Sequence, residues 1–442
     1  MRVLVKPLIR TPRASGVRSL LPTGPAPVML WGLLVLGAHL WGRHLHALGR
    51  PLWLATPPLF AAFDPRLSLR ILPALAVAGV VVLLGPRLAA RLSWRRLLIW
   101  AMLAALLWAL ALALADGLPA LVRPLLSRFD YLHALPLASS PAETLSSFTA
   151  ELARYPIHVQ GHPPGLIVAL HFLDRIGLAR PEMVAGMMIT AGAMAVPAAL
   201  VAVREVAGER RARDGAPFLA LAPAAIWIAT SADALFMGLS AWAVTLVVVA
   251  TGRSDVMGDA LALAGGILFG AALLLSYGVA PLAALPLVVA AVRRRARPLL
   301  VAMAGALMVP AAFAVAGFWW LDGLGAARLR YLAGVGGRRP YSYFLVGNLA
   351  AFALCVGPAA AAGLSRLRDR GVWLLAGGAL AVVAAANLSG LSKGEVERIW
   401  LPFVPWVLLG ACALGATRMR RTWLALQAAV ALLLQILVIS PW

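Results

Sequence analysis

Acidic residues, lysine and cysteine are all scarce in this chain of 442 residues. Only 17 residues are Asp or Glu, and charged residues of every kind make up 13%, against about 25% in an ordinary soluble protein. A soluble chain of this length needs dry cores wrapped in polar surface, and there is too little polar surface here for the wrapping. A soluble enzyme is thereby excluded. The two cysteines, Cys355 and Cys412, lie in separate apolar stretches and read as small packing residues. A disulfide-stapled secreted domain is excluded with them. Lysine occurs only at Lys6 and Lys393, so the other 37 of the 39 basic residues are arginine. These arginines sit in short clusters between apolar runs, the pattern of charges that orient membrane helices. A nucleic-acid site needs a continuous basic face with stacking aromatics, and none is present, so the net charge of +22 is not read as a nucleic-acid footprint. Also missing are a cleavable signal peptide, a Gly-rich nucleotide loop after a strand and an internal repeat of the kind that marks inverted-symmetry transporters.

What remains is apolar. Hydrophobic residues are 62% of the chain and the mean hydropathy is +0.88. A membrane span needs about 20 mainly apolar residues, and runs of that kind recur from 25–42 to 422–440. The expected fold is all-α: one integral membrane domain over 1–442, a polytopic transmembrane bundle of about 13 spans. The run 163–178 is expected to be re-entrant or to lie on the membrane surface. The clusters Arg87/Arg91/Arg95/Arg96, Arg204/Arg210/Arg211/Arg213, Arg293–Arg297, Arg366/Arg368/Arg370 and Arg418/Arg420/Arg421 are expected on the cytoplasmic side, together with the basic N-terminal tail 1–26. The same alternation puts the loops 119–162, 321–341 and 391–400, and the turns near Asp233 and Tyr277, on the outside.

The longest of these loops, 119–162, gathers three histidines (His133, His158, His162), three acids (Asp130, Glu143, Glu151) and tyrosines in a chain otherwise poor in them. It reads either as a solvated connection carrying short helices or as a functional loop on an apolar scaffold. Asp130 beside Tyr131 is a candidate general base, or else an acid paired with Arg123 or Arg128. His158 and His162 are four apart, but Pro163 and Pro164 break any regular helix there, which argues against a zinc pair on one helical face. Asp233, at the start of an apolar run with Ser231 before it, reads as a helix cap or a substrate contact. Lys393 and Arg398, with Arg338 and Arg339 as alternatives, are candidate phosphate binders: arginine suits bidentate contact and lysine serves as a point charge. The alternative for 393–398 is a solvated turn in which Glu395, Glu397 and Arg398 pair. Tyr341 and Tyr343 read first as interfacial anchors, with sugar stacking as a second role for Tyr341.

An aspartate in an external loop after an early span, then Tyr155-Pro156 and His162-Pro163-Pro164-Gly165 opening the next helix, resembles the GT-C superfamily of polytopic glycosyltransferases. Protein O-mannosyltransferases, lipid A aminoarabinose transferases and actinobacterial cell-wall sugar transferases are the nearest in pattern. Ser231-Ala232-Asp233-Ala234-Leu235 and Lys393-Gly394-Glu395-Val396-Glu397-Arg398-Ile399-Trp400-Leu401-Pro402-Phe403 extend the similarity over about residues 130–403. The resemblance implies sugar transfer from a polyprenyl-phosphate donor to a glycan, lipid or protein acceptor at the outer face of a bacterial plasma membrane. Membrane lipids are then partners, and nucleic acid is not. It implies Asp130 as the acidic catalytic residue; beside it, the residues themselves lead us to expect His162 as catalytic, Lys393, Arg398, Arg338 and Arg339 at the donor phosphate, and Tyr131, His158, Asp233, Tyr341 and Glu397 at the substrates. It leaves a divalent cation open, and the acids form no recognisable ligand set. The departures are Tyr131 in place of a second acid, and two spans ahead of the usual first helix. The competing class is a transporter or flippase for a lipid or small solute, and a third is an assembly partner with a degenerate site. A transporter calls for ionisable groups near mid-membrane, whereas the acids here lie at helix ends and in loops.

Overall fold

The computed structural model describes residues 25–138, 140–415 and 419–441, and these are overwhelmingly helical. The basic tail at 1–26 lies outside them except for its last two residues. Helix α1 (Ala26–Ala47) leads through a short strand, β1 (Ala62–Phe63), to α2 (Leu72–Arg91) and α3 (Trp94–Leu114). Residues 118–160 hold short pieces: 3₁₀ turns at Leu118–Leu121, Tyr131–Leu137 and Leu152–Arg154, with α4 (Pro141–Ser147) and α5 (Ile157–Gln160). Then come α6 (Gly165–Arg175), α7 (Pro181–Ala207), α8 (Glu209–Ala220), α9 (Ala232–Ala250), α10 (Val256–Leu275), α11 (Ala284–Arg293) and α12 (Arg297–Val315). The chain closes with α13 (Trp320–Ala333), α14 (Val335–Arg338), α15 (Tyr341–Leu364), α16 (Arg370–Ser389), α17 (Val396–Ile399), α18 (Val404–Leu408), α19 (Arg420–Leu437) and strand β2 (Val438–Ile439). Strand β2 pairs antiparallel with β1, Ala62 opposite Ile439.

Small residues and local polar caps explain this packing. Side-chain oxygens of Ser231, Asp255 and Asp369 accept backbone N–H groups in the first turns of α9, α10 and α16. On α10, Gly266 and Gly270 lie one turn apart against the carbonyls of Ala302 and Ala306 on α12, where a Cβ at Gly266 would collide with Ala302 O. Such close backbone approach holds helices together where no hydrophobic effect does so. Helix α15 kinks at Gly357, φ 75°, ahead of Pro358. Gln427 of α19 satisfies the freed groups there, donating to Val356 O at 2.8 Å and accepting from Ala359 N–H at 3.2 Å.

Eight helices among the described residues are long and apolar enough to cross a membrane: Leu69–Arg91, α3, α7, α9, α10, α12, α15 and α16. A helical membrane bundle is thus supported, but not thirteen uninterrupted spans. Proline breaks three of the other runs, because it lacks the N–H an interior turn requires. Pro223 opens a 3₁₀ turn after α8, Pro281 sits in the 3₁₀ turn before α11, and Pro402 and Pro405 divide the run 401–416. Helices α1 and α19 are long but more polar, through His39, Arg43 and His44 in one and Gln427 and Gln435 in the other. Helix α6 has 11 residues. At 1.5 Å per residue that is about 16 Å, well short of a hydrocarbon core of about 30 Å, in keeping with the re-entrant or surface reading of 163–178. The stretch 321–341, expected as a loop, is mostly helix, since Ala, Leu and Arg in α13 favour it.

Candidate functional site

Asp130 heads the 3₁₀ turn Tyr131–Leu137 and is 6% exposed. Its Oδ1 accepts the Tyr131 N–H at 2.7 Å, and its Oδ2 lies 3.0 Å from His158 Nδ1. Pairing with Arg123 or Arg128 is therefore not what forms; Arg128 lies over the Phe129 ring instead. Helix α5 delivers His158, whose backbone N–H donates to Phe129 O at 3.1 Å and so fastens the two ends of the loop together. His162 follows α5 rather than sharing its face. Its Nδ1 is 2.6 Å from His158 O, and its ring lies between Tyr131 and Phe236. The two histidines thus form no metal pair, and among the described residues no cluster of three or more His, Cys, Asp or Glu suits a metal ion. Gly165 then lets α6 pass against α10, because a Cβ there would collide with Leu274 O.

A second cluster forms where α9 starts. Ser231 caps the helix through Asp233 N–H, and its hydroxyl donates to Asp233 Oδ2 at 3.1 Å. Asp233, 1% exposed, forms an ion pair of 2.5 Å with Arg398 of α17. Ser231 thus supplies the cap, and Asp233 the counter-charge to Arg398. Arg398 also approaches Glu395 at 3.4 Å, and Glu395 approaches Arg339 at 3.5 Å. Arg339 donates to Leu52 O at 3.1 Å and to Lys393 O, while Lys393 Nζ donates to Arg339 O at 3.2 Å. Gly394 (φ 83°) admits this crowding, because a Cβ there would meet Arg339 at 2.9 Å, and Glu395 follows in the left-handed region at φ 61°. Tyr331 accepts from Lys393 N–H, and Asn348 from Gly394 N–H.

The two clusters share one electrostatic environment. Burial pushes the Tyr131 phenol well up, and Asp233 and Asp130 add to that while Arg398 opposes it. Burial pushes the His162 imidazole down, against the pull of Asp233. Burial alone would lower Arg398, yet Asp233, Glu395 and Asp130 together hold it above the ordinary arginine value. Burial and the neighbouring Arg339 push the Lys393 amine down. In the Arg398–Arg339–Lys393 group three cations face two carboxylates, Asp233 and Glu395, and Lys393 has no carboxylate within ion-pair distance among the described residues. The Tyr131 hydroxyl is buried with no protein hydrogen-bond partner.

Of the residues singled out in the sequence, Asp130, Tyr131, His158, His162, Asp233, Arg339, Lys393 and Arg398 come together in one neighbourhood. Three residues fall outside it. Arg338 is exposed on α14. Tyr341 is 41% exposed and its hydroxyl donates to Leu388 O, tying α15 to α16. Glu397 points the other way, taking Phe60 N–H at 2.7 Å on Oε1 while Oε2 is buried without a partner. The solvated turn weighed for 393–398 is realised only in the Glu395–Arg398 pair. Glu395 as the bridge between two arginines, and Asn348 with Asn387 beneath the loop at 3.1 Å, were missed. Two asparagines inside apolar runs were the available signal for the latter.

Desolvation pushes the Glu397 carboxyl up to about 7, with hydrogen bonds from Glu397's own backbone and from Phe60 pulling the other way. A carboxyl raised in the folded state binds a proton that the unfolded chain has already released. Its contribution to stability is therefore full below about pH 4.5 and lost as pH rises toward about 7. Glu397→Gln fixes the neutral form, and Gln can still accept from Phe60. The variant should match wild type in thermal unfolding below about pH 4 and exceed it at pH 8, by up to about 3 kcal/mol. Equal pH dependence in the two proteins would remove Glu397 as the titrating group. Comparison with protein-family models, with curated proteins and with solved structures found no match.

Proposed function

We propose that this chain is a GT-C-type membrane glycosyltransferase, moving a sugar from a polyprenyl-phosphate donor to an acceptor hydroxyl at the outer face of a bacterial plasma membrane. The observation that carries the reading is the meeting of an Asp130–His158 dyad with a cation group holding surplus positive charge. Glycosyl transfer with a phosphate leaving group needs both features. The acceptor oxygen attacks the anomeric carbon as the bond from that carbon to the phosphate oxygen breaks. The hydroxyl proton passes to Asp130, which Tyr131 N–H and His158 hold in place. Negative charge grows on the departing lipid phosphate and is met by Lys393 and Arg339. Arg398, committed to Asp233 and Glu395, sets the field of the site rather than binding phosphate as first expected. The buried Tyr131 hydroxyl is placed to meet a substrate oxygen.

Sidedness follows from the arginine clusters: α1, the eight apolar helices, the broken runs around α8, α11 and α18, and α19 would together complete the crossings. The buried ionisable groups of the site lie in loops or at helix starts, which favours an enzyme at an interface over a transporter.

Lys393→Ala tests the phosphate assignment. It should weaken binding of a polyprenyl-phosphate sugar by about tenfold or more, the loss expected for one charge-assisted contact, with thermal stability close to wild type. Unchanged donor affinity would refute the assignment.

A further inference from the structure

Against the 3₁₀ turn Tyr131–Leu137 lies a cleft of about 480 Å³ that none of the foregoing uses. Its size suits a small ligand or a few sugar units. One wall is the 3₁₀ turn that leaves Asp130, presenting Leu132 and His133; the other is α6, which leaves His162 and presents His171 and Asp174 one turn apart. A molecule in the cleft is therefore held between the turn that follows Asp130 and the C-terminal half of α6. His133 lies three residues beyond Asp130, about 6 Å along a 3₁₀ turn, roughly one sugar ring.

The lining chemistry selects the occupant. Asp174 is the only formally charged residue in it, and it is negative, so the cleft disfavours a phosphate and with it the donor. Asp174 has no ion-pair partner among the described residues, and His171 Nε2 is buried with no protein hydrogen-bond partner. A carboxylate and two imidazoles accept from and donate to hydroxyl groups, while Leu126 and Leu132 offer an apolar surface for the hydrophobic face of a pyranose. We infer that the cleft is a glycan-binding subsite for a neutral or amino-bearing oligosaccharide, holding the part of the acceptor beyond its reacting hydroxyl. Its place in a reaction rests on the sugar-transfer reading; its binding of glycan does not.

The full-length protein in nanodiscs, applied to an array of neutral and amino-bearing oligosaccharides, tests this. Wild type should bind a subset, and Asp174→Asn and His133→Ala should each weaken that binding by about tenfold, the loss for one hydrogen bond to a charged or polar group. Both side chains are exposed, and unchanged thermal unfolding would show the variants folded. Wild type that binds no oligosaccharide, binds a peptide array instead, or is unaffected by either cleft substitution overturns the inference. Glycan binding lost in the cleft variants, from a wild type that transfers no sugar, would uphold the subsite and refute the enzyme reading.

Discussion

Asp130→Asn is expected to lower sugar transfer by about 10²–10⁴-fold, the usual contribution of a positioned general base. The substitution is nearly isosteric. The oxygen of the introduced amide can still accept Tyr131 N–H, so the 3₁₀ turn keeps its cap, but the amide takes no proton. Donor binding should persist, because Asp130 pairs with His158 and not with the cations that meet the phosphate. His158→Gln should cost less, since His158 orients Asp130 and does not itself take the proton. Initial rates at saturating donor separate the two. Full activity in Asp130→Asn would remove the dyad from the mechanism.

Arg398→Ala should be the most damaging single change to the fold of the site. It leaves the Asp233 carboxylate 1% exposed with only Ser231 to stabilise it. Removing one partner of a buried ion pair costs about 3–5 kcal/mol. Much of that is the penalty of the abandoned charge, so Asp233→Asn combined with Arg398→Met should recover most of it. Thermal unfolding of the two single variants and the double variant gives the coupling. Simple additivity would mean that the pair is not the unit of stability here.

The sequence carried the membrane class and the neighbourhood of the site, because both rest on strong local signals. A scarcity of charge leaves few polar residues to choose among, and Pro163-Pro164, Ser231 and Gly394 mark where the chain must turn. Partner choice was less legible. Nothing in the local sequence shows that Asp130 meets His158, 28 residues on, rather than Arg128 beside it, or that Arg398 meets Asp233 across 165 positions. Those pairings depend on packing that brings α5 to the turn at Asp130 and α17 to the start of α9. Glu397 illustrates the same point, since the direction of α17 turns alternate acids apart, Glu395 toward the arginines and Glu397 toward Phe60. The span count is legible only in part, eight helices among the described residues being long and apolar enough to cross. Hydropathy alone does not register that Pro223, Pro281, Pro402 and Pro405 divide apolar runs into short helices.

The central claim is that this chain breaks the bond between a sugar and a polyprenyl phosphate at the Asp130 site. The direct measurement is release of polyprenyl phosphate from polyprenyl-phosphate sugars by the purified protein in proteoliposomes, with wild type and Asp130→Asn side by side. Wild type should release the lipid phosphate, and Asp130→Asn should bind the same donor without releasing it. Equal release by both proteins, or movement of intact donor across the bilayer with no bond broken, would contradict the account.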